Sequence, residues 1–190
     1  MMIVLASTSP RRRQILRQLG LPFKTIMPRY HEKSIPGLSP SQTVMQHALG
    51  KAYSVAPQIQ NGMVLACDTI VYFQKRIIGK PRNFKDAFRI LGRLQGTTHA
   101  AYTGVAVLWI VNSTITRKII FYDKTCISLK KMMRPEMRAY FRKVNPLDKA
   151  GAYALQSSHT GLVKTIKGSF LNAVGLPVEL LKKKKIFSGA

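Results

Sequence analysis

Apolar and polar positions along this chain alternate between two periods, and turn residues separate the stretches in which each dominates. Met2–Ala6 is apolar throughout and reads as a short buried strand, followed by Ser7-Thr8-Ser9-Pro10. A capping Ser before a Pro at the first helical position predicts a helix to about Leu19, with Ile15, Leu16 and Leu19 as its apolar stripe and Gly20 as its stop. Ser39-Pro40 opens a second helix whose Val44, Met45, Ala48, Leu49 and Ala52 share a face, ending near Ala56-Pro57. Met63–Phe73 is a long run of β-formers, turned by Gln74-Lys75-Arg76 into Ile77-Ile78 and closed by Gly79-Lys80-Pro81. Asn83 caps a third helix, with Asp86 at the capping-box position, Ala87, Ile90, Leu91 and Leu94 inward and Gly96 at its end. Tyr102–Val111 and Lys118–Leu129 form a hairpin through Asn112-Ser113. A helix near Pro135, strands at Ala152–Gln156 and Leu162–Ile166, and a helix from Pro177 complete an α/β pattern with antiparallel hairpins, hence a mixed sheet. With no repeat and no linker, residues 1–190 read as one domain, of which 182–190 form a basic tail.

Composition adds an electrostatic constraint. The 190 residues include 31 Lys or Arg against 7 Asp or Glu, a formal charge of +24, while 46% are apolar, which supports a core and excludes a disordered basic tail as the whole chain. No apolar run approaches the ~20 residues of a bilayer span; Met63–Cys67 and Val105–Val111 are strand-sized, so no membrane partner is expected. Positive charges follow the apolar first residues instead of preceding them, which argues against a secretory signal. Cys67 and Cys126 lie in apolar runs without metal-ligand spacing, so a reduced, cytoplasmic setting without a disulfide is expected. The charge itself calls for an anionic partner: nucleic acid, a phosphorylated small molecule or an acidic surface.

Two places break local rules. Arg11, Arg12 and Arg13 occupy the first turn of a helix, where the dipole is already positive and each cation costs ~0.3–1 kcal/mol. Either the side chains reach back to solvent, or the helix N-terminus and its three hydroxyl residues form a polyphosphate pocket. Asp68 interrupts the apolar stretch Met63–Cys67 and Thr69-Ile70-Val71, where an ionised carboxylate is expensive unless paired, hydrogen-bonded or metal-bound. The other carboxylates have plainer settings: Asp86, Glu136 and Glu179 begin helices, and Glu32, Asp123 and Asp148 lie in less determined contexts. Lys80 follows the hairpin partner of the Asp68 strand, and Lys51 is a cation on a largely apolar helix face, by itself the mark of a snorkelled surface residue. His31, His47, His99 and His159 are scattered, and GxSxG, Walker A and GxGxxG motifs are absent.

Three segments then converge. Leu5-Ala6-Ser7-Thr8-Ser9-Pro10-Arg11-Arg12, Asp68-Thr69 with Gly79-Lys80-Pro81 downstream, and Pro146-Leu147-Asp148-Lys149-Ala150-Gly151-Ala152-Tyr153 followed by Leu155-Gln156 resemble the Maf family of nucleoside triphosphate pyrophosphatases. Gly168-Ser169-Phe170 and Val174-Gly175-Leu176-Pro177 fit the same pattern, and the resemblance runs from residue 3 to about 181. Thr69 and the stretch Gly151–Gln156 resemble the dTTP/UTP branch more than the 7-methyl-GTP branch. The resemblance implies an elongated, two-lobed, mixed α/β fold of the Maf and inosine-triphosphatase type with a central cleft, and in many members a homodimer. It implies metal-dependent hydrolysis of a nucleoside triphosphate to the monophosphate and pyrophosphate, and the family is also associated with septum formation. Asp68 falls at the general-base position; Arg11, Thr69 and Gln156 fall where substrate specificity is set; Ser7, Arg12, Glu32, Lys51 and Lys80 match further cleft positions. Two stretches depart from the family pattern: Ser157-Ser158-His159-Thr160-Gly161 replaces a glycine-rich turn, and Asn145 stands where Glu is common.

The chemistry implied is attack of water at the α-phosphorus, which needs a base, a divalent cation across phosphate oxygens and positive groups for the departing pyrophosphate. Asp68 would activate the water and, with Glu32, hold Mg2+ or Mn2+, hard ions suited to oxygen ligands. Arg11, Arg12, Lys51 and Lys80 would hold the triphosphate, and the amide of Gln156 matches a pyrimidine edge. Two other readings stand beside this one: the same fold with a 7-methyl-GTP or otherwise modified nucleotide preference, and a nonenzymatic nucleic-acid-binding protein whose excess Lys130, Lys131, Arg134 and Lys182–Lys185 contact phosphates.

Overall fold

The computed structural model describes residues 1–33, 35–155 and 161–187. The strands are β1 (Ile3–Ala6), β2 (Phe23–Ile26), β3 (Gly62–Phe73), β4 (Arg76–Ile78), β5 (Thr98–Val111), β6 (Thr114–Leu129) and β7 (Val163–Lys167). The helices are α1 (Pro10–Gln18), α2 (Pro40–Val55), α3 (Phe84–Leu94), α4 (Arg134–Lys143), α5 (Phe170–Val174) and α6 (Val178–Lys183). The strands form a seven-stranded sheet in the order β2-β1-β3-β5-β6-β7, with β4 paired to β3. β1 is parallel to β2 and β3, whereas β3–β4 and β6–β7 are antiparallel, so the sheet is mixed as the pattern implied.

The chain divides into two compact units. The first holds Met1–Thr69, Tyr102–Asp123 and the chain from Leu171; the second holds Ile70–Ala101 and Lys124–Phe170. In the first unit, Val4 and Ala6 of β1, Val64 and Ala66 of β3 and Ala106 and Leu108 of β5 pack with Ala48, Ala52 and Val55 of α2 in one buried cluster. Residues two apart on each strand share this face because side chains alternate across a sheet. The alanines let α2 approach closely, and Gly104 of β5 lets it come closer still: a Cβ there would stand 2.3 Å from the carbonyl carbon and oxygen of Val44. The N-terminus of α2 is fixed by a capping box, in which Ser39 Oγ accepts from Gln42 N–H and Gln42 Oε1 accepts from Ser39 N–H.

In the second unit, Phe84 and Phe88 of α3 meet the Phe141 ring of α4 edge to face, at centroid distances of 6.5 and 4.9 Å. Asn83 caps α3 as expected, its Oδ1 accepting from Asp86 N–H. The reciprocal bond slips by one residue, because Asp86 Oδ2 accepts from Arg82 N–H and not from the cap residue. Both hairpins turn on two residues in the left-handed region without glycine, Gln74-Lys75 and Asn112-Ser113.

Four local features differ from the sequence expectation. β2 escapes the hydrophobic pattern because it is a short edge strand of half-buried and exposed residues. The five-residue α5 is too short to show a helical period. The segment from Ala152 is not a strand: Ala150–Ala152 is a 3-10 turn with Gly151 at φ 78° and Ala152 at φ 62°, a left-handed pair that breaks extended backbone. Ser9 sits at the α1 cap position but its side chain caps nothing; Ser7 Oγ accepts from Ser9 N–H instead.

Because Gly104 faces backbone and not a movable side chain, Gly104→Ala is expected to destabilise the chain by about 3 kcal/mol, the upper end of overpacking costs. Urea denaturation measures it as a lower midpoint, and an unchanged midpoint would show that α2 can move away at no cost.

Candidate active site

β1 ends at Ala6, opposite Ala66, while β3 runs on to Phe73. Asp68 and Thr69 therefore lie just beyond the end of β1, where the chain leaves through Ser7 for the start of α1. The carboxyl ends of parallel strands are where open α/β sheets collect ligands. The pleat then separates two neighbours: Asp68 shares the face of Val64 and Ala66, towards α2, and Thr69 points to the opposite face, towards α1.

On the α2 face, Lys51 Nζ lies 2.6 Å from Asp68 Oδ1 and 2.6 Å from Glu32 Oε1. The Lys51 and Asp68 side chains are 11% and 6% exposed, whereas Glu32 is 54% exposed, so a buried carboxylate connects through one ammonium to one at the surface. Lys51 is thus not a snorkelled surface residue. Its stem lies along the apolar face of α2 while its head is committed to Asp68, which resolves the cost of a carboxylate in an apolar strand by pairing it. The two carboxylates that converge on Lys51 supply oxygen donors, the ligand type that hard divalent cations take. Among the described residues, no group of three or more His, Cys, Asp or Glu is placed to hold a metal ion.

On the α1 face, Arg12 turns inward. Its Nε donates to Gly175 O at 2.9 Å, Nη1 to Ser7 Oγ at 3.1 Å and Nη2 to Thr69 Oγ1 at 3.0 Å. A guanidinium has five N–H donors, so three tie down the protein and two remain for an anion. The Gly175 carbonyl can accept this bond because the residue holds φ 124°, in the left-handed region. Thr69 Oγ1 is also 3.0 Å from Thr103 Oγ1, and Thr103 donates its single proton to Asn172 O at 2.8 Å. Thr69 must therefore donate to Thr103 while accepting from Arg12. Thr103 is fully buried and looks from sequence like any β-former, so no signal marked it.

The remaining expected residues fall into three settings. Arg11 and Arg13 are half-buried on the first turn of α1. Lys80 belongs to the second unit and is exposed; its turn is anchored where Gly151 N–H donates to Gly79 O at 3.3 Å, which joins two of the sequence motifs. Gln156 lies outside the described residues. Cys67, fully buried between Ala66 and Asp68, has its thiol pushed up to about 11 by burial, with Arg12 and Lys51 pulling it down less strongly and Asp68 adding to the rise. It stays protonated near neutrality and is no nucleophile.

Two histidines that no motif marked prove to be anchors. His47, one turn before Lys51 on α2, has Nδ1 3.0 Å from Tyr30 Oη. The Tyr30 ring lies over Gly50, where a Cβ would be 2.1 Å from the ring, and this contact pins the stretch leading to Glu32 against α2. Burial raises the Tyr30 phenol above its usual value, with Asp68 contributing to the rise. In the second unit, His99 Nε2 is 2.6 Å from Tyr153 Oη, while its Nδ1 is buried with no partner among the described residues. Burial lowers His99 to about 4 and raises the Tyr153 phenol.

The fold is that of the Ham1 proteins. Solved structures from Coxiella burnetii (16% identity, TM-score 0.52, all of both chains covered) and Staphylococcus aureus (13% identity, TM-score 0.51, 99% of this chain and all of the other) match it. The family is narrower than that fold: residues 2–184 match the Maf-like protein family, and this chain belongs to it. Relatives named dTTP/UTP pyrophosphatase are 41% identical in Gloeobacter violaceus (94% of this chain, 92% of the relative), 38% in Pelotomaculum thermopropionicum (95% of each) and 40% in Bacillus cereus (96% and 93%).

Gly50→Ala adds about 1 kcal/mol of helix propensity yet fills the space under Tyr30. The expected outcome is an intact fold with faster limited proteolysis between residues 27 and 38; unchanged cleavage would show that the ring finds another seat. His99 gives a pH signature. Its folded pKa lies below the unfolded value of 6.5, so its contribution is complete above pH 6.5 and is lost as pH falls towards 4, about 3 kcal/mol in all. His99→Gln should remove up to ~1.4 kcal/mol per pH unit from the slope of stability across that window, read by urea denaturation at several pH values.

Proposed function

We propose that this chain hydrolyses dTTP and UTP to the nucleoside monophosphate and pyrophosphate. The observation that carries the reading is the Glu32–Lys51–Asp68 array at the carboxyl end of the parallel strands, in a Maf-family chain whose relatives are dTTP/UTP pyrophosphatases.

Asp68 is assigned as the base. Lys51 occupies Oδ1 and holds the carboxylate in one orientation, leaving Oδ2 to take a proton from the attacking water. Glu32 and Asp68 would hold a divalent cation, which supplies charge neutralisation across the phosphate oxygens when bound. Arg12 is held by three protein acceptors and offers its remaining N–H groups in a fixed direction, so little ordering entropy is lost when a phosphate docks. Arg11 is assigned to the departing pyrophosphate and Ser7 to holding Arg12, while Lys80 and Gln156 match family site positions by sequence alone.

Base choice follows from proton direction at Thr69. Its hydroxyl proton is used on Thr103, so Thr69 presents only a lone pair to a substrate. A lone pair suits the N3–H of thymine or uracil and opposes the N3 lone pair of cytosine.

Pyrophosphate release from a panel of canonical and methylated triphosphates with Mg2+ or Mn2+ tests the assignment. dTTP and UTP should lead over dCTP and CTP, with monophosphate plus pyrophosphate as products; preference for 7-methyl-GTP, or release of single phosphate, would overturn it. Asp68→Asn should lower turnover by ~10²-fold or more while the chain still folds, whereas wild-type turnover would remove Asp68 from the mechanism.

A further inference from the structure

A groove of about 890 Å³ lies between α3 and α4, wholly within the second unit and built from none of the residues assigned to the triphosphate. Each helix carries a stripe of exposed cations four residues apart, Lys85, Arg89 and Arg93 on α3 and Arg134, Arg138 and Arg142 on α4. Successive members lie about 6 Å apart along the helix axis, a step comparable with that between phosphates in an extended single strand. The first two of each stripe line the groove. Among the described residues, the one carboxylate lining it, Asp86, is already held by Arg89 at 2.6 Å and by Arg82 N–H, so the walls carry a large net positive charge.

Both stripes begin where a cation is unfavourable. Lys85 is the second residue of α3 and Arg134 the first of α4, each beside a positive helix end. The floor is apolar, with buried Met137 and half-buried Phe88 and Met132. Cationic walls over an apolar, partly aromatic floor suit a polymer with phosphates along one side and flat π-faces along the other. A duplex hides its bases, and an acidic peptide satisfies the walls while leaving the floor unfilled.

We propose that this groove binds single-stranded nucleic acid. Fluorescence anisotropy of a labelled oligodeoxyadenylate lacking a triphosphate, titrated with salt, tests it on the full chain. In an Arg134→Gln/Arg138→Gln variant, affinity should fall about tenfold, and log affinity against log salt should flatten by ~1.4, or ~0.7 for each lost phosphate contact. Removing Arg134 relieves the helix dipole, so the variant should keep its thermal midpoint, and its triphosphate hydrolysis should be unchanged. An abasic strand of equal length should bind more weakly. Equal binding of the variant, of the abasic strand, of a duplex or of polyglutamate would each overturn the proposal, whatever the outcome of the hydrolysis assays.

Discussion

A carboxylate inside an apolar strand must find a cation, and the architecture of the first unit follows from that demand. Removing one partner of a buried pair costs about 3–5 kcal/mol, so Asp68 and Lys51 are each committed to the other. For Lys51 to reach Asp68 from α2, the helix must lie close to the sheet. The alanines at 6, 48, 52, 66 and 106 and the bare backbone of Gly104 make that distance available. Glu32, drawn to the same ammonium, brings the loop before α2 to this face, and Tyr30 over Gly50 keeps it there.

The opposite face is organised by hydrogen-bond direction more than by charge. Arg12 spends three donors on Ser7, Thr69 and Gly175, and the hydroxyl relay through Thr103 to the Asn172 carbonyl has only one consistent sense. A guanidinium committed in this way is a fixed instrument, unlike the half-buried Arg11 beside it. The unfavourable placement of arginines at the start of α1 is thus offset by acceptors from three separate parts of the chain.

Most elements were legible because their signals are local: Ser-Pro starts, glycine stops, and long runs of β-formers. What escaped has a physical reason in each case. β2 is a short edge strand without a buried face, α5 is little longer than one helical turn, and the motif at 151–156 looks extended by composition but turns on Gly151 and Ala152. At the site, Asp68 and Arg12 announced themselves by violating local rules. Lys51 did not, because a lysine on an apolar stripe usually reaches for water; its partner 17 residues away became apparent only through the packing of α2 on β3. Gly50, Thr103 and His99 gave no sign at all, since their roles depend on what lies opposite them.

The division of labour between Asp68 and Thr69 has a consequence for how such a chain can change. Their placement on opposite faces depends only on parity along β3, so inserting or deleting one residue between Gly62 and Asp68 would turn the carboxylate away from Lys51 towards Arg12 and leave the buried Lys51 ammonium without it. Loops elsewhere can grow or shrink at little cost. Within this stretch the count of residues is as binding as their identity, and descent with modification can proceed there by replacement but not by change of length.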